Sequence, residues 1–314
     1  MTILSKKDTS QVQQLHDLVG NTPLLEIKHK CSDTVKIFAK CEWYNPSGSV
    51  KDRAAFFMFK HAFDSGELHN KILIDATSGN TGLAYAMLGA YYQIPIELVL
   101  PENASVERKL LLKNYGAKIH YSSPLEGTDG AQKMVETLVA QFPDMYYYPD
   151  QYNNEYNWKA HYESTGPEIW NQTKEKVTHF VAGLGTSGTF VGTSRFLKEK
   201  GVFCMSVQPD SPMHGLEGWK HMPTAIVPGI YDSSLADEDG YVGTHDAYCY
   251  ARAAFCHLGL ALSPSSAANL VLAHRLSQRL DTGVVVTVFP DNAAKYLQDS
   301  FWNDDDYCIE NPFF

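Results

Sequence analysis

The stretch VTHFVAGLGTSGTFVGTSRFLKEKG, residues 177–201, decides the fold because it carries a strand, a glycine-rich loop and a helix in direct succession. Its opening VTHFVAG is an apolar run typical of a buried strand, and the part from residue 187 has helical spacing. The loop between them, GLGTSGT, presents backbone N–H groups at a helix N-terminus, a setting that binds phosphate. The stretch therefore predicts one strand–helix unit of a parallel sheet with an anion-binding loop.

The same alternation of strand and helix patterns continues along most of the chain. Strands are predicted at residues 35–44, 71–76, 96–101, 117–122, 145–149, 177–183, 202–209 and 283–290, and helices from residue 49 and at 82–92, 105–117, 130–142, 187–201, 246–259 and 265–280, with helix and loop at 153–173. Repeated strand–helix–strand units predict an α/β fold with mostly parallel sheets flanked by helices. Ligands of such sheets bind beyond the carboxyl ends of the strands, where the polar loops of this chain lie.

Composition and charge exclude several classes of function. A formal charge of −10 argues against nucleic acid as a partner, because phosphate binding needs a basic face. No apolar run reaches membrane-spanning length, and the N-terminal residues lack a secretory signal pattern. The six cysteines form no CxxC pair, so we expect a reducing, cytoplasmic compartment. His245, Cys249 and Cys256 have helical spacing, but a packed helix explains them and no metal is expected.

Lys51 stands out in the loop NPSGSVKDRAA, residues 45–55. Pro46 and Gly48 predict a turn, and Ser49 is a candidate helix cap, which places Lys51 in the first helical turn. A helix N-terminus disfavours a protonated amine, and a lysine with a lowered pKa is a better nucleophile toward a carbonyl. The alternative is a surface lysine with its amine in water.

Two further loops begin helices. TSGNTG, residues 77–82, offers hydroxyls, an amide and backbone N–H groups that suit a carboxylate or phosphate. SPSSAAN, residues 263–269, begins a later helix and alone indicates little more than an N-cap.

The glycine-rich loop of residues 183–189 has two interpretations. It satisfies the G-x-G-x-x-G pattern, and Asp210 lies where a ribose-binding acid would follow, which favours a nicotinamide dehydrogenase. Its threonine and serine hydroxyls suit a single phosphate monoester equally well. A lysine, an anion-binding loop and a phosphate loop together favour one cofactor with an aldehyde and a phosphate, which is pyridoxal 5′-phosphate. A nicotinamide cofactor would leave Lys51 and the loop at residues 77–82 for substrate alone.

Five motifs in order resemble the cysteine synthases, the O-acetylserine sulfhydrylase branch of the fold-type II pyridoxal-phosphate enzymes. They are NPSGSVKDRAA, ATSGNTG, PENASVERKLLLKNYGA, DQYNNEYNWKAHYESTGPEIW and THFVAGLGTSGT. The segment SVQP…GLEGWKHMPTAIVPGIYDSSLADE resembles the cysteine synthase B type more than the A type. The resemblance covers residues 20–297 and implies a homodimer.

The resemblance also implies a division into two α/β domains and a role for each motif. Residues 42–150 would form a smaller mobile domain, and residues 1–41 with 151–314 a larger one. Lys51 would hold the cofactor as a Schiff base and move the substrate α-proton. The other implied cofactor contacts are Asn80 to the ring hydroxyl, Gly185, Thr186, Ser187, Gly188 and Thr189 to the phosphate, and Ser265 to the pyridine nitrogen, while Thr77, Ser78, Thr81 and Gln151 would hold the substrate carboxylate.

The implied reaction is a β-replacement that forms L-cysteine from O-acetyl-L-serine or O-phosphoserine and a sulfur donor, through an aminoacrylate. A related enzyme with another nucleophile, of the cystathionine, cyanoalanine or diaminopropionate type, remains the alternative. The chain departs from the family at Ser263, Pro264 and Ala267, and the motif DNAAKYL retains Asp291 and Tyr296 but loses a glycine. The acidic tail has two interpretations, a disordered end or a segment whose Phe313 and Phe314 dock on the surface or near the mouth of the site.

Overall fold

The computed structural model describes residues 14–29, 34–77, 79–102, 104–304 and 311–313. Within these residues the strands are β1 Leu24–Ile27, β2 Val35–Cys41, β3 Ile72–Ala76, β4 Ile96–Pro101, β5 Lys118–Ser122, β6 Tyr146–Tyr147, β7 His179–Gly183, β8 Phe203–Pro209, β9 Glu238–Val242 and β10 Gly283–Phe289. The α-helices are α1 Lys51–Ser65, α2 Asn80–Tyr92, α3 Val106–Asn114, α4 Gly127–Gln141, α5 Glu155–Ala160, α6 Gly166–Gln172, α7 Gly188–Lys198, α8 Thr244–Ala253 and α9 Pro264–Ser277. Short π-helical turns follow α5, at His161–Thr165, and α8, at Ala254–Leu258.

The strands form two sheets, and both are mostly parallel. The larger has the order β1-β2-β10-β7-β8-β9, with only β1 antiparallel to its neighbour, and the smaller has the order β5-β4-β3-β6 and is parallel throughout. Every predicted strand is present, and the predicted α/β class with parallel sheets is confirmed. The sequence prediction missed β1 and β9. Their sequences, LLEI and EDGYV, are short or polar and lack the apolar run that identified the other strands.

Central strands and helices are apolar because they are covered on every side. All six residues of β4 are buried, as expected for a parallel strand with helices on both faces. In α9 every residue except Arg275 is buried, so this helix lies within the protein and lacks a polar face. It packs in the same hydrophobic core as β2 and β10.

The end of the chain contributes to this core. Phe313 is only 1% exposed, and its ring lies 5.5 Å from the Tyr250 ring and 5.9 Å from the His274 ring, measured between centroids. Docking through Phe313 is therefore what the structure shows, while Phe314 falls outside the described residues. No α-helix within the described ranges has the length and apolar character needed to cross a membrane.

Candidate active site

A cleft lies where the carboxyl ends of strands from both sheets meet, as the topology requires for a ligand site. Its space is about 760 Å³ when the solvent-filled mouth is included. The lining residues include Val50, Lys51, Asn80, Thr81, Arg108, Gly183, Gly185, Thr186, Ser187, Gly188, Thr189, Glu217, Gly218, Trp219, Ser265, Asn269, Pro290, Asp291 and Tyr296. The cleft thus unites residues predicted from four separate loops.

Lys51 is the first residue of α1 and lines the cleft, as the loop pattern predicted. Gly48 has a φ of +83°, which glycine adopts without strain, and the Val50 N–H donates to the Pro290 carbonyl at 2.8 Å. These contacts place the start of α1 against the end of β10. Burial lowers the pKa of the Lys51 amine, and the nearby Asp291 carboxylate opposes that change. The pKa shift has the predicted direction, and its largest cause is burial.

The predicted phosphate-binding residues, Gly185, Thr186, Ser187, Gly188 and Thr189, form one wall of the cleft at the start of α7. Asn157 fixes this loop because its side-chain amide donates to the Thr186 hydroxyl at 3.0 Å. His161 Nε2 lies 3.3 Å from the Thr189 hydroxyl. Burial lowers the pKa of His161 to about 3, so the ring is neutral near pH 7. The loop is therefore held by neutral partners, and no carboxylate in these contacts competes with an anion.

The loop at residues 77–82 is fixed from behind. The Thr77 hydroxyl accepts from the Gly79 and Gly82 backbone N–H groups, each at 3.1 Å. Thr81 donates its hydroxyl to Gln151 Oε1 at 2.9 Å, and Gln151 is itself nearly fully buried. Of the predicted substrate-binding residues, Thr81 lines the cleft, Thr77 and Gln151 lie behind it, and Ser78 falls outside the described residues.

Asn80 lies between two opposite charges at the start of α2. Its Nδ2 donates to Asp291 Oδ2 at 2.8 Å, and its Oδ1 accepts from Lys295 Nζ at 2.7 Å. Lys295 also donates to the carbonyls of Ser47 and Gly48, both at 3.3 Å. The amide orientation is thus determined by its partners, and one N–H of Nδ2 remains for a ligand.

Ser265 lies in the first turn of α9 and lines the cleft. Ser263 caps this helix, since its hydroxyl accepts from the Ser266 N–H at 3.2 Å, and Pro264 occupies the first helical position. The Ser263 and Ser265 hydroxyls are 3.1 Å apart. The departures from the family pattern at residues 263 and 264 therefore give a well-capped helix that still presents Ser265.

Sequence reasoning missed Arg108, Glu217 and Trp219, which all line the cleft. Arg108 extends from α3 to form an ion pair with Glu217, and its guanidinium carbon lies 5.0 Å from the centre of the Tyr296 ring. No local pattern could reveal this contact, since α3 reads as an ordinary polar helix. Among the described residues, no three His, Cys, Asp or Glu side chains are grouped as metal ligands would be.

The residues present fit pyridoxal phosphate. The Ser187 hydroxyl is buried and has no hydrogen-bond partner among the described residues, so an anion in the loop would satisfy it. A Cβ at Gly185 would lie 2.3 Å from the Gly218 carbonyl oxygen, so only glycine allows the two backbone segments this close. The Lys51 amine lines the same cleft, where it is available to the aldehyde of that cofactor.

Replacing Gly185 by alanine tests whether this loop binds the cofactor phosphate. The added Cβ forces the loop away from Gly218, and overpacking of this kind costs about 1–3 kcal/mol. We expect the Kd for pyridoxal phosphate to rise about 10-fold or more, as measured by fluorescence titration of the stripped protein. Gly116→Ala is the control for lost stability: its φ of +86° makes alanine strained there, but Gly116 does not line the cleft, so the affinity for pyridoxal phosphate should equal that of the wild type. Equal affinity for pyridoxal phosphate in Gly185→Ala and the wild type would contradict phosphate binding by this loop.

Comparison with known proteins decides between the two interpretations of the glycine-rich loop. The sequence pattern of the family described as pyridoxal-phosphate dependent enzyme matches residues 15–291. This match excludes the nicotinamide dehydrogenase, and Asp210, which that hypothesis needed, is not a lining residue of the cleft. Asp210 follows β8 and lies beside Gly243 instead. A Cβ added at Gly243 would lie 3.0 Å from the Asp210 carboxylate.

Comparison with individual relatives identifies the branch of this family to which the chain belongs. A cysteine synthase of Aquifex aeolicus is 49% identical over 92% of this chain and 92% of its own length. Cysteine synthase B of Escherichia coli is 36% identical over 93% of this chain and 97% of its own length. The solved structure of cysteine synthase from Entamoeba histolytica superposes with a TM-score of 0.89 over 97% of this chain and 95% of that one, at 28% identity. The chain is therefore an enzyme that depends on pyridoxal phosphate, and it belongs to the cysteine synthase family.

Proposed function

We propose that this enzyme forms L-cysteine by β-replacement, from O-acetyl-L-serine and a sulfur donor. The observation that carries the proposal is the convergence of three features on one cleft: the Lys51 amine, the phosphate loop and the loop at residues 77–82. A cysteine synthase needs all three, for cofactor attachment, cofactor anchoring and capture of the substrate carboxylate. The two relatives named above are cysteine synthases, and each aligns with nearly the whole of this chain.

Each group has a proposed task. Bound pyridoxal phosphate supplies an electron sink for the carbanion at the substrate α-carbon. Lys51 holds the cofactor at rest, and its freed amine then accepts the α-proton. Asn80 donates its remaining N–H to the ring hydroxyl, and the Ser265 hydroxyl faces the pyridine nitrogen. Thr77, Ser78, Thr81 and Gln151 are proposed to hold the substrate carboxylate, with Thr77 and Gln151 also fixing the loop from behind.

The leaving group is proposed to be acetate. Glu217 lines the cleft, and its carboxylate repels a dianionic phosphate ester. The nearby Arg108 is already paired with Glu217, so its charge is largely neutralised. O-phosphoserine would bring two further negative charges into this wall, whereas the acetyl ester is neutral.

An absorbance spectrum with each candidate substrate tests the proposal. We expect a band near ~410 nm that moves to ~470 nm on addition of O-acetylserine and returns when sulfide is added, with L-cysteine as the product. A shift of the band with O-phosphoserine but not with O-acetylserine would show that the leaving group is phosphate and not acetate. A return of the band only with homocysteine, cyanide or an amine would identify an enzyme with another nucleophile. A band that ignores both serine esters would contradict β-replacement on these donors.

The division of the chain into a mobile domain of residues 42–150 and a larger remainder is also a proposal. The whole four-stranded sheet lies within residues 42–150, and the six-stranded sheet lies outside them. The Arg108–Glu217 ion pair joins the two units across the cleft, which suits a domain that closes over substrate. Small-angle scattering with and without O-acetylserine would test this, and an unchanged radius of gyration would argue against closure.

A homodimer in the cytoplasm completes the proposal. The resemblance to the cysteine synthases supports the dimer, and the spacing of the cysteines supports a reducing compartment. Light scattering after size exclusion would give the mass in solution, and a mass near 35.1 kDa would contradict the dimer.

A further inference from the structure

The carboxylate of Asp291, just beyond β10, has one occupied oxygen and one without a partner. The side chain is only 1% exposed and lines the cleft. Its Oδ2 accepts from Asn80 Nδ2 and from the Tyr296 hydroxyl, both at 2.8 Å. Its Oδ1 is buried and has no hydrogen-bond partner among the described residues. Buried carboxylate oxygens normally accept hydrogen bonds, so an oxygen left without one indicates a missing donor.

The Asp291 charge acts on three cations, and two of them have other partners. Lys295, four residues further along the chain, donates to Asn80 and to two backbone carbonyls. Arg108, from α3, is paired with Glu217. Lys51, from α1, lines the same cleft, and the Asp291 charge acts on its amine. Among the described residues, the Lys51 amine is therefore the cation that remains available to Asp291.

We propose that Asp291 is a positioning residue for Lys51: Oδ1 receives the Lys51 ammonium whenever that amine is detached from the cofactor, while Oδ2 orients the Asn80 amide. The inference rests on the proposed role of Lys51. When the α-carbon loses its proton, the C–H electron pair stays on carbon and the proton forms a new N–H bond on Lys51 Nζ. Asp291 takes no proton and remains a carboxylate beside the new ammonium.

One side chain thereby serves two groups that contact the cofactor. Without the Asp291 charge, the buried ammonium would have no counter-ion, and the amine would be a weaker base for the α-proton. Without the Asp291 side chain altogether, the Asn80 amide would keep only Lys295 to fix its orientation.

Asp291→Asn is a clean test, because the amide oxygen can still accept from Asn80 and Tyr296. The amide nitrogen would replace the oxygen that has no partner, so no hydrogen bond of the described residues is broken. The measurement is the rate at which the stripped protein recombines with pyridoxal phosphate, followed by absorbance against pH. Only the neutral amine attacks the aldehyde, so the midpoint of this profile reports the pKa of Lys51.

We expect the midpoint in Asp291→Asn to fall by about one pH unit or more, because an opposite charge nearby favours the ammonium. The acid limb of the kcat/KM profile of the reconstituted enzyme should move in the same direction. Tyr296→Phe removes a hydrogen bond from the same carboxylate but leaves its charge, so its midpoint should stay close to that of the wild type. If Asp291→Asn does not fold, Asp291→Ser removes the same charge, keeps an oxygen acceptor for Asn80, and should give the same shift.

Two outcomes would overturn the inference. One is a wild-type midpoint in both Asp291→Asn and Asp291→Ser. The other is an equal shift in Tyr296→Phe, which would assign the effect to hydrogen-bond geometry and not to charge. Lys51→Ala separates this from failure of the proposed function: if that variant recombines with the cofactor as the wild type does, the role of Lys51 itself is wrong.

Discussion

Lys51→Ala should lose the cofactor absorbance band near ~410 nm and at least about 10³-fold in kcat/KM. The substitution removes both the amine that attaches the cofactor and the base that takes the α-proton. Burial lowers the pKa of this amine and so raises the fraction that is neutral and nucleophilic at a given pH. No other amine among the described lining residues of the cleft replaces it.

Lys60→Ala is the matched control for this experiment. Lys60 lies on the same helix, α1, but it is exposed and pairs with Asp64 on the protein surface. Its spectrum and kinetics should equal those of the wild type, since surface pairs of this kind contribute little. Retention of the band in Lys51→Ala, with cofactor that cannot be removed by dialysis, would show that another group attaches the cofactor.

Arg53→Met should destabilise the protein by about 3–5 kcal/mol, because it leaves the buried carboxylate of Glu42 and the partly buried one of Glu168 without their main partner. Arg53, two residues after Lys51, is 1% exposed. Its guanidinium donates to Glu42 at 2.7 and 2.9 Å and to Glu168 at 2.7 and 2.8 Å. Lys40 adds a second cation 2.6 Å from Glu168. The network joins α1, α6 and the end of β2, so its loss loosens the elements that place Lys51.

Thermal unfolding measures the effect, and we expect the Tm to fall by roughly 10 °C. Lys36→Met is the control, because Lys36 and Glu26 form an exposed pair at 3.1 Å that should contribute less than about 1 kcal/mol. Equal losses of Tm in the two variants would show that the buried network does not stabilise the fold.

The same network predicts a pH dependence. Burial alone would raise the pKa of Glu168, but hydrogen bonds and charge from Arg53 and Lys40 outweigh it and lower the pKa to about 2. A carboxyl whose folded pKa is depressed stabilises the protein above its unfolded pKa, and this contribution is lost as the pH falls toward 2. Stability of the wild type should therefore drop between about pH 4.5 and pH 2, and the drop should be smaller in Arg53→Met. An equal loss of stability with falling pH in the two proteins would contradict the assignment of this pH dependence to Glu168.

The loops of the site were predictable because each is local in sequence. A strand that ends in small polar residues, followed by a helix, already determines where the backbone N–H groups point, and this indicated Lys51 and the phosphate loop. Ser265 was assigned only through the family resemblance. The parts that were missed depend on contacts between distant segments. Arg108 and Glu217 meet only after α3 and the loop beyond β8 are placed. Asp291 was noticed as part of a family motif, but the difference between its two oxygens, one with hydrogen-bond donors and one without, arises only in the folded chain.

The position of β10 constrains how the protein folds during synthesis. This strand ends at Phe289, yet it lies in the middle of the larger sheet, between β2 and β7. In a growing chain, the inner edges of β2 and β7 therefore stay unpaired until the ribosome has made residues 283–289. Contacts so distant in sequence form slowly, and the exposed edges invite association with other chains in the meantime. The four-stranded sheet needs no segment beyond Tyr147, so it can form first and leave the larger sheet as the step that a chaperone would protect.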